Sequence, residues 1–338
     1  MKTRRYEPID VSPPQTRAAD PGLPLKVLQV TVDERGAGQR LDNFLGRILK
    51  DVPRSHIFRV IRKGEVRING KRAKPEARLQ ANDIVRVPPV RTGEKAPPRR
   101  APSALVESVT GAVVYEDPQL LVIDKPAGVA VHGGSGVSFG VIEALRAARP
   151  DEDLELAHRL DRDTSGLLMV ARKPSTLRTL HALLREGKVE KKYLALVKGK
   201  WELGQKRIDV PLRTDIRVGG ERTVKADASG KDAVSVFRPV QFFGKKASLV
   251  EVSLETGRTH QIRVHAAHAG YPLAGDEKYG EEEFNERMKA LGLGRMFLHA
   301  HQLSFVWPAT GVEFTASAPL PPDLAAVIDV LNPPRVRK

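Results

Sequence analysis

Leu156 to Arg172 reads LAHRLDRDTSGLLMVAR, and the change of character in its middle decides how the chain folds. Leu167 to Ala171 is an unbroken apolar run, long enough for a buried strand and too short for an ordinary helix. His158-Arg159-Leu160-Asp161 precedes it as a charged loop, and Thr164-Ser165-Gly166 supplies the small residues of a tight turn between the two. Arg159, Asp161, Arg162 and Asp163 thus stand directly against a core strand. A solvated loop with internal ion pairs is the ordinary cause of such a run. A carboxylate set between two arginines at the end of a core strand is also how a reactive polar site is built into a fold.

The rest of the chain bounds what that site can be. Its 338 residues suffice for two or three domains. No apolar run approaches the ~20 residues of a membrane span, and the N-terminus, MKTRRYEPIDVSPPQTR, lacks the apolar stretch of a secretory signal. The absence of cysteine excludes disulfides and thiolate metal sites and fits a reducing cytoplasm. The formal net charge is +15. Between Arg35 and Arg100, 18 Lys and Arg stand against six Asp and Glu, so most of the excess lies in one short region. That region has no broad apolar face, so a polyanion suits it better than a membrane surface.

Taken in order, residues 1–25 are Pro-rich and read as a disordered leader, and residues 26–89 as a small basic α/β module. Gln29 to Val32 is a short strand there. Arg40 to Leu49 places Leu41, Phe44, Leu45, Ile48 and Leu49 on one helical face. Ser55 is a candidate cap for a second helix, Ile57 to Lys63, ended by Gly64. Val66 to Ile68 alternates as a strand, Asn69-Gly70 is a strong hairpin signal, and Ile84 to Val87 is another strand. Arg40, Arg59, Lys63, Arg67, Lys71 and Lys74 cluster on these elements. Residues 90–106, rich in Pro, Arg and Ala, read as a linker, residues 107–320 as a second domain, and residues 321–338 as a C-terminal tail.

In the second domain Ala112 to Tyr115 and Leu120 to Ile123 read as strands, followed by Asp124-Lys125-Pro126-Ala127-Gly128 and the glycine-rich His132 to Gly136. No phosphate-loop or dinucleotide spacing accompanies those glycines. Val141 to Ala148 is a helix. Ser175 is placed to cap another, with Leu177, Leu180, Leu183 and Leu184 on one face. Lys191 to Val197 is a strand in which Tyr193 follows Lys188, Lys191 and Lys192. Residues 200–232 suggest irregular hairpins. Val234 to Val240 and Ser248 to Leu254 alternate as strands, and Thr256-Gly257-Arg258-Thr259-His260-Gln261-Ile262-Arg263-Val264-His265 follows. His260, His265 and His268 do not have the spacing of a zinc helix and lack a matching Glu or thiol set. They read as hydrogen-bonded structural histidines, with no metal site implied.

HRLDRDTSGLL resembles the signature of the RluA-type pseudouridine synthases, which isomerise uridine to pseudouridine in RNA. Y-E-D-x-x-L-x-V-x-D-K-P-A-G, the K-x-Y-x-A of Lys191 to Ala195, T-G-R-T-H-Q-I-R-V-H and GYPLAGDEKYG are similar to further motifs of that family, in the same order. The 26–89 module resembles the S4 RNA-binding domain through R-L-D-x-x-L and I-x-x-G-x-V-x-I-N-G-K. The resemblance spans roughly residues 38–310. It implies an α+β fold, a mixed and largely antiparallel sheet carrying the catalytic domain, beside the S4-like module. It implies that Asp161 is the catalytic carboxylate, that Tyr193 lies against the target base, and that Arg263 pairs with Asp161. Arg159 and Arg258 would meet RNA, and His158, Leu160 and Ile262 would line the substrate pocket. His132 to Arg146 is similar to the branch that modifies large-subunit (23S) ribosomal RNA. No cofactor is implied, and a cytoplasmic monomer is expected.

The chemistry suits one carboxylate. Isomerisation breaks the N1–C1′ bond and joins C5 to C1′ without change of redox state. Asp161 would serve as nucleophile at C1′, as nucleophile at C6, or as the base that removes the C2′ proton. Two other readings stay open: a non-catalytic RNA-binding assembly factor of the same fold, and a glycosidase using Asp161 and Asp163 as a carboxylate pair. A synthase acting on another RNA, such as tRNA, is a variant of the first reading.

Overall fold

The computed structural model describes residues 27–34, 36–49, 52, 54–89, 101–134, 137–216 and 222–332. The expected leader and most of the expected linker lie outside them. The chain divides into two compact units, residues 1–99 and 100–338.

The first unit contains β1 (Leu28–Thr31), α1 (Leu41–Ile48), α2 (Arg54–Arg62), β2 (Arg67–Ile68), β3 (Lys71–Arg72) and β4 (Ile84–Val87). Its sheet runs β1-β4-β2-β3, antiparallel throughout. Helix α1 buries Leu41, Phe44 and Leu45, the face that its periodicity marks out. These pack with Ile57, Val60 and Ile61 of α2 and with Val66, Leu79, Val85 and Val87. The second helix starts earlier than expected and takes in Ser55, so that residue is not its cap. Asn69 (φ 49°) and Gly70 (φ 77°) turn β2 into β3, because both central positions of such a hairpin need positive φ. Arg59, Lys63, Arg67, Lys71 and Lys74 are exposed. Arg40 is exposed too, but Asp42 holds it at 2.8 Å.

The second unit contains α3 (Ser103–Thr110), β5 (Val113–Glu116), β6 (Leu120–Lys125), α4 (Val141–Ala148), β7 (Glu155–Leu156), β8 (Ser165–Ala171), α5 (Pro174–Arg185) and β9 (Glu190–Lys198). It continues with β10 (Lys206–Asp209), β11 (Leu212–Ile216), β12 (Arg222–Ala226), β13 (Val234–Phe243), β14 (Ala247–Leu254), α6 (Gln261–His268), α7 (Glu282–Ala290), β15 (Leu298–Val306), β16 (Glu313–Ser317) and α8 (Pro322–Leu331). Ten strands form one sheet in the order β10-β13-β14-β9-β15-β8-β6-β5, with β16 on β15 and β7 on β8. Every pairing in it is antiparallel except β8 with β15. The fold is thus α+β with a mixed, largely antiparallel sheet.

Strand β8 is buried from end to end, as its unbroken apolar run requires. It starts two residues earlier than the run: Ser165 and Gly166 belong to the strand, and the turn lies one step back. Asp161 to Thr164 closes that turn, with the Thr164 N–H donating to the Asp161 carbonyl at 3.2 Å. Gly166 (φ 109°) sits where the β15 backbone crosses, and a β-carbon there would stand 2.3 Å from the Ala300 carbonyl oxygen. The Ser165 hydroxyl donates to His299 Nδ1 at 2.9 Å, and His299 Nε2 donates to the Ala318 carbonyl at 3.2 Å. Glycine and a buried polar pair thus allow the one parallel contact in the sheet.

Two boundaries differ from expectation. The expected linker becomes helix α3 at Ser103, because Val109 is fully buried against the main core. The expected tail is mostly helix α8. Leu324, Val327 and Leu331 pack there with Phe284, Phe297 and Leu249, an apolar face that its Pro-rich entry concealed. Ser175 is not a cap but the second residue of α5, whose first position is taken by Pro174. The stretch 200–232 holds three strands, β10, β11 and β12, of which β11 and β12 pair as a hairpin.

Candidate active site

The HRLD loop leaves β7 and crosses the mouth of a cavity of about 540 Å³ before entering β8. Lys125, at the end of β6, fixes that loop from beneath. It is fully buried, and its ammonium donates to the carbonyls of Pro126 (2.8 Å), Val129 (2.9 Å) and Arg162 (3.0 Å). Burial pushes Lys125 down to about 7, against the pull of the Asp163 and Asp161 carboxylates. The Gly128 N–H donates to the same Arg162 carbonyl at 2.9 Å. In the glycine-rich segment beyond it, Glu143 of α4 accepts from the Gly133 and Gly140 N–H groups at 3.0 and 2.8 Å.

Asp161 lines the cavity with Arg159, His158, Leu160, Tyr193, Arg258, Ile262 and Arg263, so all the residues expected at the reaction centre meet in one place. Leu160 and Ile262 are buried in the main core and form its apolar wall. His158 is tied inward: the Met169 N–H donates to its Nε2 at 3.1 Å, and burial drops its pKa to about 3. It is a neutral ring that pins the loop to β8 rather than a group turned only to the pocket. Arg258 donates from Nε to the Asp232 carbonyl at 2.9 Å. Arg162 reaches Asp163 at 3.1 Å, so the arginine after Asp161 in sequence turns away from it.

Arg263, on α6, is the cation that faces Asp161, Nη1 to Oδ2 at 3.5 Å. Its tighter partner is one that the sequence did not announce. Nε and Nη2 grip the two oxygens of Asp276, each at 2.7 Å. Asp276 is 1% exposed, and its Oδ1 also accepts the N–H groups of Lys278 and Tyr279 at 2.9 and 3.1 Å. Burial alone would raise the Asp276 carboxyl. The bidentate hydrogen bond and charge of Arg263, with those two N–H groups, bring it below the ordinary carboxylate range. One guanidinium therefore serves two carboxylates, and the fork is spent on the one remote from the cavity.

Tyr279 completes the cluster. The Arg263 guanidinium lies 5.0 Å from its ring centre, a cation–π distance. The Tyr279 hydroxyl oxygen accepts from the Val224 N–H at 2.9 Å and lies 2.8 Å from His260 Nδ1. The other ring nitrogen of His260, Nε2, lies 3.8 Å from Asp161 Oδ2. Burial holds His260 below its ordinary value, so it faces Asp161 as a neutral ring. His260 is also one of three non-glycine residues at positive φ (54°) among the described residues, a conformation kept only where its surroundings enforce it. His265 is structural as expected, bonded to Ser235 Oγ and the Val210 carbonyl, each at 3.0 Å. Among the described residues no group of three His, Asp or Glu side chains converges as a metal site.

Tyr193 is 6% exposed and belongs to the main core. Burial, then the Asp161 charge, push its hydroxyl well above the ordinary range, so it stays a neutral phenol at neutral pH. That suits a ring that stacks and does not suit a standing base. Asp163 does not line this cavity, so it does not form with Asp161 the carboxylate pair on which the glycosidase reading rested.

A large mixed sheet thus brings Asp161, Tyr193 and Arg263 to one cavity, the arrangement expected of an RNA-modifying isomerase from the motifs that carry them, and comparison with known proteins gives the class. Residues 119–268 match the RNA pseudouridylate synthase model and residues 39–85 the S4 domain model. The chain belongs to the RNA pseudouridylate synthase family and is an RNA pseudouridine synthase. It is 51% identical to the ribosomal large subunit pseudouridine synthase C of Pasteurella multocida (strain Pm70), over 90% of this chain and 94% of that one. It is 48% identical to the protein of that name in Escherichia coli (strain K12), over 91% and 97%. Human RNA pseudouridylate synthase domain containing 1 is a structural neighbour (TM-score 0.53, 28% identity, covering 64% of this chain and 86% of that one). Human RNA pseudouridylate synthase domain containing 4 shares the fold (TM-score 0.54, 24% identity, 68% and 95%).

Proposed function

We propose that this synthase isomerises uridines of large-subunit (23S) ribosomal RNA, with Asp161 as the catalytic carboxylate. The observation that carries the site is Asp161 standing at 3.5 Å from Arg263 in the one cavity that also holds Tyr193. The large-subunit target rests on relatives named for it, matched over nine-tenths of this chain.

The target base lies inside folded RNA and must leave its stack to reach the cavity. Arg159, exposed at the rim, is placed to fill the vacancy. Tyr193 stacks on the extruded uracil, and Leu160 and Ile262 close the apolar side. Asp161 then acts on the nucleoside as the N1–C1′ bond breaks. The freed base turns within the cavity, C5 bonds to C1′, and the C5 proton is lost. Arg263 fixes the Asp161 rotamer, and Asp276 keeps the guanidinium from folding wholly over it. The first unit adds salt-dependent phosphate contacts through Arg40, Arg59, Lys63, Arg67, Lys71 and Lys74, with Arg258 contributing at the cavity. We infer a cytoplasmic monomer, which sedimentation of the full chain tests.

The substrate test is tritium release from RNA labelled at C5 of uridine. Large-subunit RNA should release tritium with the full chain, while small-subunit RNA and tRNA release none. Release from tRNA alone would overturn the assignment.

A further inference from the structure

Lys191 and Tyr193 lie two residues apart on β9, so strand alternation turns both to one face, and both line the cavity with Asp161. The neighbouring lysines have partners. Lys188 pairs with Glu186 at 2.8 Å and Lys192 with Glu190 at 3.2 Å. The Lys191 ammonium has neither a hydrogen-bond nor an ion-pair partner among the described residues, although burial depresses it. It is half-buried, and its Nζ lies over Gly257, 3.6 Å from where a β-carbon of that residue would stand.

A desolvated ammonium without a counter-ion destabilises a fold. The acidic groups of the same cavity are already engaged, Asp161 facing Arg263 and Glu255 bound by Arg207 at 3.1 Å. Arg185, at the end of α5, lines the same cavity and makes no salt bridge among the described residues, its nearest acid influence being the neighbouring Glu186, which already pairs with Lys188. The cavity therefore holds in Lys191 a cation that no acid of the described residues pairs with. Adjacent same-face side chains on a strand stand about 7 Å apart. That spacing suits one nucleotide, with its base on Tyr193 and its backbone at Lys191.

We propose that Lys191, assisted by Arg185, binds a phosphodiester oxygen adjoining the extruded uridine. The site rests on the RNA-isomerase reading above and adds to it the group that grips the target nucleotide itself. Lys191 thus lowers the stability of the free protein and is satisfied only by bound RNA.

Lys191→Met in the full chain tests this, because the two effects have opposite signs. Its thermal midpoint should equal or exceed that of the wild type. Its affinity for a short RNA with one uridine should fall about tenfold, with the slope of log affinity against log salt shallower by about one. Lys191→Arg should recover most of that affinity. The same RNA carrying a neutral methylphosphonate beside the uridine, on one side or the other, should weaken the wild type and leave Lys191→Met unaffected at that position. A lowered midpoint with an unchanged salt slope would overturn the proposal, as would equal methylphosphonate effects in both proteins. These are equilibrium readouts, so they judge the site by itself. Turnover of the RNA by the wild type judges the isomerase reading separately.

Discussion

At the scale of single residues, the centre is a chain of charges in which Arg263 stands between two carboxylates. Removing one member of a buried pair leaves the other uncompensated, a cost of about 3–5 kcal/mol. Arg263→Ala is therefore expected to lose both stability and activity. Asp276→Asn keeps the volume and frees the guanidinium to fold over Asp161. We expect its single-turnover rate to fall by about ten- to a hundredfold, the worth of one charge-assisted hydrogen bond, with RNA affinity unchanged. A wild-type rate would show that Arg263 needs no anchor. The same carboxylate gives a pH dependence. Its folded pKa lies below the ordinary 3.8, so its contribution to stability is complete above that value and is lost as pH falls through the folded one. Thermal midpoints measured downward from neutral pH should drop more steeply for the wild type than for Asp276→Asn. Asp161, Tyr193 and Arg263 were legible in the sequence because each sits in a short run of recognisable wording. Asp276, Tyr279 and His260 lie in such runs too, but their contacts with Arg263 and Asp161 join separate parts of the chain and were not legible there. Asp276 in GYPLAGDEKYG was on view, yet only the fold brings its carboxylate to the Arg263 fork.

At the scale of elements, the site depends on how β8 enters the sheet. Gly166 permits β15 to cross within reach of its backbone, and its φ of 109° is one that other residues rarely adopt. Gly166→Ala should destabilise the second unit by at least about 2 kcal/mol, read in denaturant unfolding, and should impair turnover because the HRLD loop leads into this position. A fully stable, fully active variant would contradict that role. Periodicity located most of these elements: the α1 face, the Asn69-Gly70 hairpin, α4 and the buried β8 run all follow from residue type and spacing. It failed at Ser175, where the Pro174 preference for a first helical position prevailed, and at Gly166, where a glycine that reads as a turn serves a close crossing. It also failed at α8, whose burial depends on Phe284 and Phe297, distant in sequence. Truncation before Pro322 should expose that cluster and lower the thermal midpoint by several degrees.

At the scale of the whole molecule, the charge belongs to one unit and the chemistry to the other. A chain starting at residue 101 should fold by itself, since the second unit has its own core, and should bind RNA more weakly and with a shallower salt slope. Loss of folding would show the two units to be interdependent. The sheet order was beyond the reach of sequence patterning, because the parallel β8–β15 contact joins segments more than a hundred residues apart. What the sequence did carry was the order of its motifs, and the fold brings three of them, around Asp161, Tyr193 and Arg263, to one cavity. The most direct measurement of the central claim is pseudouridine mapping by carbodiimide labelling and primer extension. Large-subunit RNA would be incubated with the wild-type chain or with Asp161→Asn. The account predicts new stops with the wild type alone. Stops of equal strength with both proteins would contradict it, because Asp161 would then not be the catalytic carboxylate.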